Sequence, residues 1–311
     1  MTFLRIVALL SIAFVLSGCT TTPGALELQA QNFDGAIQES SAALEKGNLF
    51  NKERAATHVI RGAAYLFKQQ YELALMDFNR SVELDPSSDM AYSNIGAIYL
   101  LTNRPKEAIG ALDRAIAINS RNPNYYSNRG TAHRRDGQYD RAISDFNEAI
   151  RRDPKNVPAY QGRVLSHSIQ GRGEQALSDA ETLIRIAPED ARSYWSRCGV
   201  FLRLGKLQEA LTDCEKTALL QPGNPNAIRD RAYILLKLQR YDEAATSYDT
   251  SLRFEPMSPN GLFGRGSARI ALGNVTAGTA DIEAAKARDS AIAEHFDDLT
   301  RASLGTELSL R

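Results

Sequence analysis

The sequence predicts an all-α fold, a solenoid built from antiparallel helix pairs. Prolines recur on a grid of 34 residues, small residues recur at fixed points of that grid, and apolar residues within each repeat follow helical spacing. No insertion or deletion interrupts the grid over seven repeats. The grid prolines are Pro86, Pro154, Pro188, Pro222 and Pro256.

Small residues mark where the two helices of a repeat are expected to cross. We number the 34 positions of each repeat from its first residue, which is 55, 89, 123, 157, 191, 225 or 259. Position 20 holds Ala74, Ala108, Ala142, Ala176, Ala210, Ala244 and Gly278. Position 8 holds Gly62, Gly96, Gly130, Val164, Cys198, Ala232 and Gly266. Glycines such as Gly137 and Gly205 end first helices, and prolines such as Pro123 and Pro225 begin them.

These positions resemble the tetratricopeptide repeat, whose pattern is W-x₂-L-G-x₂-Y…A-x₃-F…P. The match covers residues 55–290 as seven repeats, with the best agreement at 123–156. The repeat 157–190 departs most, at Val164, Ala180 and Leu183. The resemblance implies a right-handed superhelical solenoid whose first helices line a concave groove.

Both flanks of the repeats are expected to be helical. Residues 25–54 form a degenerate hairpin, because 32–37 is similar to the second-helix start at 138–143, and 48–53 is expected to be a longer loop. In the segment 291–311, Ile292, Phe296 and Leu299 share one helical face. We therefore predict a capping helix and tail.

The amino terminus has the pattern of an export signal. The apolar run 6–16, about 16 Å long as a helix, is too short for a hydrocarbon core of about 30 Å, which favours a signal peptide over 1–18. The segment Leu16-Ser17-Gly18-Cys19 resembles the bacterial lipobox. The resemblance implies that Cys19 carries a diacylglyceryl group and an amide-linked acyl chain such as palmitate, with a tether over 19–24. Thr20 then favours the outer membrane, facing the periplasm; an uncleaved anchor or a chance cysteine is the alternative.

Positions 7 and 23 change together, which predicts ion pairs inside the repeats. The repeat that has Ile95 instead of Arg at position 7 also has Ala111 instead of Asp at position 23. The predicted pairs are Arg61 with Asp77, Arg129 with Asp145, Arg163 with Asp179, Arg197 with Asp213, and Arg265 with Asp281. Independently solvated charges are the alternative. Arg231 lacks its Asp, and Asp249 is the expected substitute.

The resemblance places positions 2, 5, 9, 12 and 13 in the groove, and no Asp or Glu occupies them. The predicted partner-binding residues are Arg134, Arg135, Arg192, Arg203, Arg229 and Lys237, which surround Trp195 and Tyr233. Arginine with Trp and Tyr is typical of interface hot spots, so we predict a protein or peptide ligand with acidic residues. Alternatively, the basic residues at positions 12 and 13 only complement helix dipoles.

Several classes of function are disfavoured. Lys plus Arg and Asp plus Glu both total 37, so no basic excess indicates nucleic acid. Catalytic motifs are lacking, and we expect no enzyme, cofactor or metal site. His133 and His167 are interpreted as structural, and His58 and His295 have no evident companion. We favour two buried thiols at Cys198 and Cys214 over a disulfide, which stays open.

The combined pattern resembles NlpI-type repeat lipoproteins of Gram-negative bacteria. That resemblance implies a periplasm-facing, lipid-anchored adaptor that recruits proteases, peptidoglycan hydrolases or similar envelope enzymes. The alternative is a structural component of an outer-membrane export, pilus or barrel-assembly machine. The oligomeric state and the choice between groove and convex face stay open.

Overall fold

Helical hairpins account for all regular structure in the part of the chain described by the computed structural model, residues 22–294 and 296. Within that part no strand occurs, which confirms the predicted all-α class. The chain divides into two compact units, Met1–Asn156 and Val157–Arg311.

The first unit contains eight described helices, and each packs against the next along the chain. They are α1 (Ala25–Gln29), α2 (Phe33–Lys46), α3 (Asn51–Phe67), α4 (Tyr71–Leu84), α5 (Asp89–Leu101), α6 (Pro105–Ile118), α7 (Pro123–Arg135) and α8 (Tyr139–Arg152). The second unit repeats the arrangement. Its described helices are α9 (Val157–Ile169), α10 (Gly173–Ile186), α11 (Ala191–Arg203), α12 (Leu207–Leu220), α13 (Pro225–Lys237), α14 (Tyr241–Phe254), α15 (Pro259–Ala271) and α16 (Val275–Lys286).

The first helix of the first repeat is longer than its counterparts, with 17 residues against 13 in α5. It begins at Asn51, so the expected loop over 48–53 is wrong in its second half. The carboxylate of Glu53 accepts a hydrogen bond of 3.0 Å from the backbone N–H of Phe50. This capping contact adds a turn of helix before the repeat pattern begins.

Position 15 of every repeat is left-handed, whether or not it is glycine. Gly137 has φ 78°, while Gln69 and Gln239 both have φ 60° and Asn103 has φ 55°. Gln31, at the matching point of the degenerate hairpin, has φ 59°. A side chain in this region costs about 1 kcal/mol, so the turn geometry overrides the local preference. The turns are therefore more regular than the glycines at position 15 indicate, because Gln69, Asn103 and Gln239 adopt the same conformation.

The two helices of a hairpin are in close contact at positions 8 and 24. A Cβ added to Gly130 would lie 2.8 Å from Cε1 of Phe146, so only a residue without a side chain fits opposite that ring. In the repeat 157–190 the sizes are reversed, with Val164 opposite Ala180, and both side chains are buried. The departures of the sequence at Val164 and Ala180 therefore compensate each other: the larger side chain at position 8 is matched by a smaller one at position 24.

The flanks pack on the repeats that they adjoin. Gly24 is buried and donates a hydrogen bond of 3.0 Å to Glu39 of α2, and Ser40 donates to the carbonyl of Pro23. Pro23 and Gly24, which we expected in the tether, therefore belong to the folded body. Ile292 and Phe296 are buried as predicted for the capping segment.

Several sequence-based predictions lie outside the described residues. These are the signal peptide over 1–18, the lipidated Cys19, and Leu299 with the tail that follows it. None of the helices in the described part combines the length and the apolar character that a membrane span needs.

Candidate protein-binding surface

All five predicted arginine–aspartate pairs are in contact across their hairpins. In each pair Nε donates to Oδ2 of the Asp, at 2.8 Å for Arg61, 2.9 Å for Arg129, 2.8 Å for Arg163, 2.7 Å for Arg197 and 2.8 Å for Arg265. Nη2 donates to the other oxygen, so every pair is bidentate. Burial alone raises the pKa of Asp77, but hydrogen bonds from Arg61 and His58 outweigh it and hold that pKa below its usual value.

The arginine at position 7 also reaches back to the preceding hairpin, which the sequence interpretation missed. Nη1 of Arg129 lies 2.7 Å from Asp113, and Nη1 of Arg265 lies 2.7 Å from Asp249. Both acids occupy position 25 of the repeat before. The signal was available, because position 25 also holds Glu181, Glu215 and Glu283.

Arg231 follows the same geometry with different partners. It donates to Oγ of Ser247 at 2.5 Å and lies 3.5 Å from Oε1 of Glu215. The expected pairing with Asp249 is wrong, because Asp249 is held by Arg265 and Arg269 of the next hairpin.

The histidines belong to the packing of the hairpins. Nδ1 of His58 lies 2.8 Å from Oδ1 of Asp77, so the expectation that His58 has no companion is wrong. Burial lowers the pKa of both His133 and His167, which favours their neutral forms at pH 7. Across the described residues, no three His, Cys, Asp or Glu side chains are grouped as metal ligands. His295 lies outside the described side chains.

Positions 2, 5, 9, 12 and 13 form what we call the first-helix face of each unit. In the first unit this face is partly buried. Val59, Leu66 and Leu100 are buried, so they offer little surface to a partner. Arg134 and Arg135 are half-buried, and Nη1 of Arg135 donates to the carbonyl of Leu100.

In the second unit, three predicted binding residues are buried, which corrects the expectation of an open hot spot. Trp195 is 6% exposed, Tyr233 1% and Arg229 4%. Nε1 of Trp195 donates a hydrogen bond of 2.7 Å to Oδ2 of Asp230, which occupies position 6 of the next repeat. Burial raises the pKa of Asp230 to about 6, against the opposing effects of Arg229 and Trp195. A carboxylate therefore lies directly beside a face whose own positions contain no Asp or Glu.

The remaining predicted residues of the second unit are more accessible. Arg192 is half-buried, and its Nη2 lies 2.7 Å from Asp190, which caps the same helix. Burial lowers the pKa of Arg203, which is also half-buried. Lys237 is exposed, with Nζ 5.3 Å from the ring centre of Tyr233. The predicted basic residues of this face that are not buried thus occupy position 2, at Arg192, and position 13, at Arg203 and Lys237.

Cys198 and Cys214 form a disulfide, with their Cα atoms 5.6 Å apart. The preference for two separate thiols is therefore wrong. The residues occupy positions 8 and 24, where two other hairpins place Gly62 against Phe78 and Gly130 against Phe146. Their separation of 16 residues equals that of Arg197 and Asp213 in the same hairpin, so the two cysteines face each other as that ion pair does.

Successive helical hairpins with the same turns and ion pairs place the chain in the class of helical repeat proteins. Tetratricopeptide repeat models match residues 123–156 and residues 61–125, 163–226 and 229–292. The chain belongs to the tetratricopeptide repeat family.

Solved structures agree with this assignment. A tetratricopeptide repeat protein from Parabacteroides merdae matches with a TM-score of 0.62 at 17% identity, over 85% of this chain and 99% of that chain. The structure of pilF from Pseudomonas aeruginosa matches with a TM-score of 0.58 at 20% identity, over 67% of this chain and 95% of that chain. The Cut9–Hcn1 structure matches with a TM-score of 0.67 at 15% identity, over 88% of this chain and 52% of that chain. At these identities the similarity concerns the fold alone. A search of curated proteins finds no match.

Proposed function

We propose that the chain is a protein-binding scaffold that recruits other proteins through its first-helix faces. The observation that supports this proposal is that different positions of a hairpin form its interior and its surface. Positions 7, 8, 23 and 24 complete the interior through ion pairs and close packing, as at Arg129 with Asp145 and Gly130 with Phe146. Position 13 of the second unit carries the basic side chains of Arg203, which is half-buried, and Lys237, which is exposed. We propose no catalytic role.

We further propose that the scaffold is anchored to the outer membrane through lipid on Cys19 and faces the periplasm. The lipobox-like segment 16–19 supports the anchor. The Cys198–Cys214 disulfide suits an oxidising compartment, because disulfides are rare in reducing ones.

The proposed partners are envelope enzymes, such as proteases or peptidoglycan hydrolases, that present acidic segments. The resemblance to NlpI-type lipoproteins supports this class of partner. The basic residues Arg203 and Lys237 favour acidic ligands by charge complementarity.

Localisation can be tested with two substitutions beside the lipobox. The unchanged chain is expected to incorporate labelled palmitate and to fractionate with the outer membrane. Cys19→Ser should abolish the label and release the chain, whereas Thr20→Asp should keep the label and move the chain to the inner membrane. Equal fractionation of the unchanged and Cys19→Ser chains would contradict the anchor.

Partner binding can be tested by affinity capture from solubilised envelopes. Lys237→Glu should reduce capture of the partner, and Lys206→Glu, a charge reversal at an exposed turn residue, serves as the matched control. Recovery of proteases or cell-wall hydrolases supports the adaptor. Recovery of a secretin or a barrel-assembly core instead indicates a machine component, and hydrolysis by the purified chain alone contradicts a purely binding role.

A further inference from the structure

The segment that follows the seventh repeat reaches the first-helix face of the second unit. Phe296 is 7% exposed, and its ring centre lies 4.8 Å from that of Phe263 and 5.7 Å from that of Tyr233. Phe263 occupies position 5 of the seventh repeat, and Tyr233 occupies position 9 of the sixth. Phe296 therefore lies across two successive first helices, on positions that the family resemblance assigns to ligand binding.

A buried cation stands one helical turn from Tyr233. Arg229 is 4% exposed, and within the described residues its Nε and Nη2 atoms have no hydrogen-bond partner. Carboxylate oxygens of Asp230 and Glu255 are each 3.8 Å from a guanidinium nitrogen, beyond hydrogen-bond distance. Buried polar groups are normally hydrogen-bonded. Nε and Nη2 of Arg229 can thus donate to a further carboxylate, in addition to the ion pairs with Asp230 and Glu255.

The sequence around Phe296 matches the chemistry of this surface. Glu294 precedes the ring by two residues, and Asp297 and Asp298 follow it directly. An aromatic residue flanked by carboxylates suits a surface that combines Tyr233 and Phe263 with Arg229. The aromatic ring supplies buried area at a small cost in side-chain entropy, and the acids supply charge complementarity.

We propose that the first-helix face at Arg229, Tyr233 and Phe263 is a docking site for an aromatic residue flanked by acidic residues. The chain's own segment at Phe296 occupies this site and competes with a partner peptide of the same chemistry. The inference rests on the proposed scaffold function and deepens it, because it names the partner's chemistry and a self-occupancy that regulates access.

The test uses the full chain and a labelled synthetic peptide with the sequence of residues 291–301. A tethered segment competes at an effective concentration near the millimolar range, so the unchanged chain should bind the peptide weakly. Phe296→Ala removes the competing ring. By fluorescence polarisation, we expect the Phe296→Ala chain to bind the peptide about 10-fold more tightly than the unchanged chain.

Two controls isolate the proposed contact. Phe254→Ala changes an aromatic residue of the same unit that is 52% exposed, and it should leave peptide affinity unchanged. A peptide with Ala in place of Phe, and one with Asn in place of both Asp residues, should each bind the Phe296→Ala chain about 10-fold more weakly than the parent peptide. If Phe296→Ala fails to fold, Phe296→Leu replaces it, with an expected gain of about threefold.

Equal peptide affinity of the unchanged and Phe296-substituted chains would overturn the self-occupancy. Binding that is indifferent to the peptide's Phe and Asp residues would overturn the docking site. Neither result depends on the affinity capture, so a failure here is distinguishable from a failure of the scaffold function.

Discussion

Arg129 and Asp145 face each other across the hairpin of α7 and α8, joined by two hydrogen bonds of 2.9 and 2.7 Å. The same guanidinium also donates to Asp113 of the preceding hairpin, at 2.7 Å. Asp145 is buried, whereas Asp113 is exposed. One arginine thus fixes the register inside its own hairpin and ties that hairpin to its neighbour.

Removing one partner of this pair should be costly. Asp145→Ala leaves a partly buried guanidinium without its bidentate acceptor, and we expect a loss of about 3 kcal/mol in the free energy of unfolding. Urea denaturation followed by circular dichroism measures it. Arg151→Ala, which breaks an exposed ion pair with Glu148, should change stability by less than about 0.5 kcal/mol. The double variant Arg129→Ile/Asp145→Ala copies the natural pair Ile95 and Ala111, and it should recover part of the loss.

Volume at positions 8 and 24 should be exchangeable between the helices. Gly130→Val places methyl groups against the Phe146 ring, and we expect a cost of about 2 kcal/mol. Phe146→Ala leaves a cavity and costs about 4 kcal/mol. The double variant copies Val164 opposite Ala180, so its loss should be smaller than the sum of the two single losses. Thermal unfolding measures all three variants, and simple additivity would argue against the exchange.

The Cys198–Cys214 disulfide closes a loop with a sequence separation of 16. A cross-link over a loop of this length is expected to contribute about 3 kcal/mol, chiefly through the unfolded state. Alkylation under denaturing, non-reducing conditions followed by mass spectrometry should leave both residues unmodified in a Cys19→Ser background. Cys198→Ala/Cys214→Ala should lower the free energy of unfolding by about 3 kcal/mol, which urea denaturation measures. Alkylation of Cys214 without reductant would refute the bond.

Asp230 should make stability fall as the pH rises from about 4 to above 6. Its pKa in the folded chain is about 6, because burial disfavours the charge, and the unfolded chain releases the proton near 3.8. Between these values the folded state holds more protons, so stability is greater on the acidic side and declines with rising pH. Arg229 opposes the shift, and Glu255 lies beside that arginine.

The contribution of Asp230 can be isolated by Asp230→Asn, which keeps the shape but cannot titrate. Relative to the unchanged chain, the stability of this variant should rise between pH 4.5 and pH 7.5 by something on the order of 2 kcal/mol. Urea midpoints at both values measure the difference. Asp242→Asn, an exposed change on α14, should show no such trend. A pH-independent difference for Asp230→Asn would contradict an ionising buried carboxyl.

Features that repeat every 34 residues could be predicted from the sequence, because the same positions can be compared in seven repeats of the same geometry. The pairing of Arg61 with Asp77 follows from the joint loss of charge at Ile95 and Ala111. The turn at Gly137 follows from the grid as well, although Gln69 takes the same left-handed conformation without being glycine.

Features that occur once could not be predicted in this way. Trp195 is buried with its N–H bonded to Asp230, and no other repeat has that combination. Tyr233 is covered by Phe296, which lies beyond the last repeat and outside the pattern. The exposure of a side chain on the first-helix face therefore depends on contacts with individual residues. Composition alone wrongly predicts that Trp195 and Tyr233 are accessible.

Each position-8 residue meets its partner 16 residues later, as Cys198 meets Cys214 and Arg197 beside it meets Asp213. These contacts close within one hairpin, whereas others, such as Arg129 with Asp113, join a hairpin to the one before it. Duplication or deletion of a whole 34-residue module therefore leaves the pairs at positions 7 and 23 and at positions 8 and 24 intact in every surviving module. Only the contacts between newly adjoining modules have to be matched again.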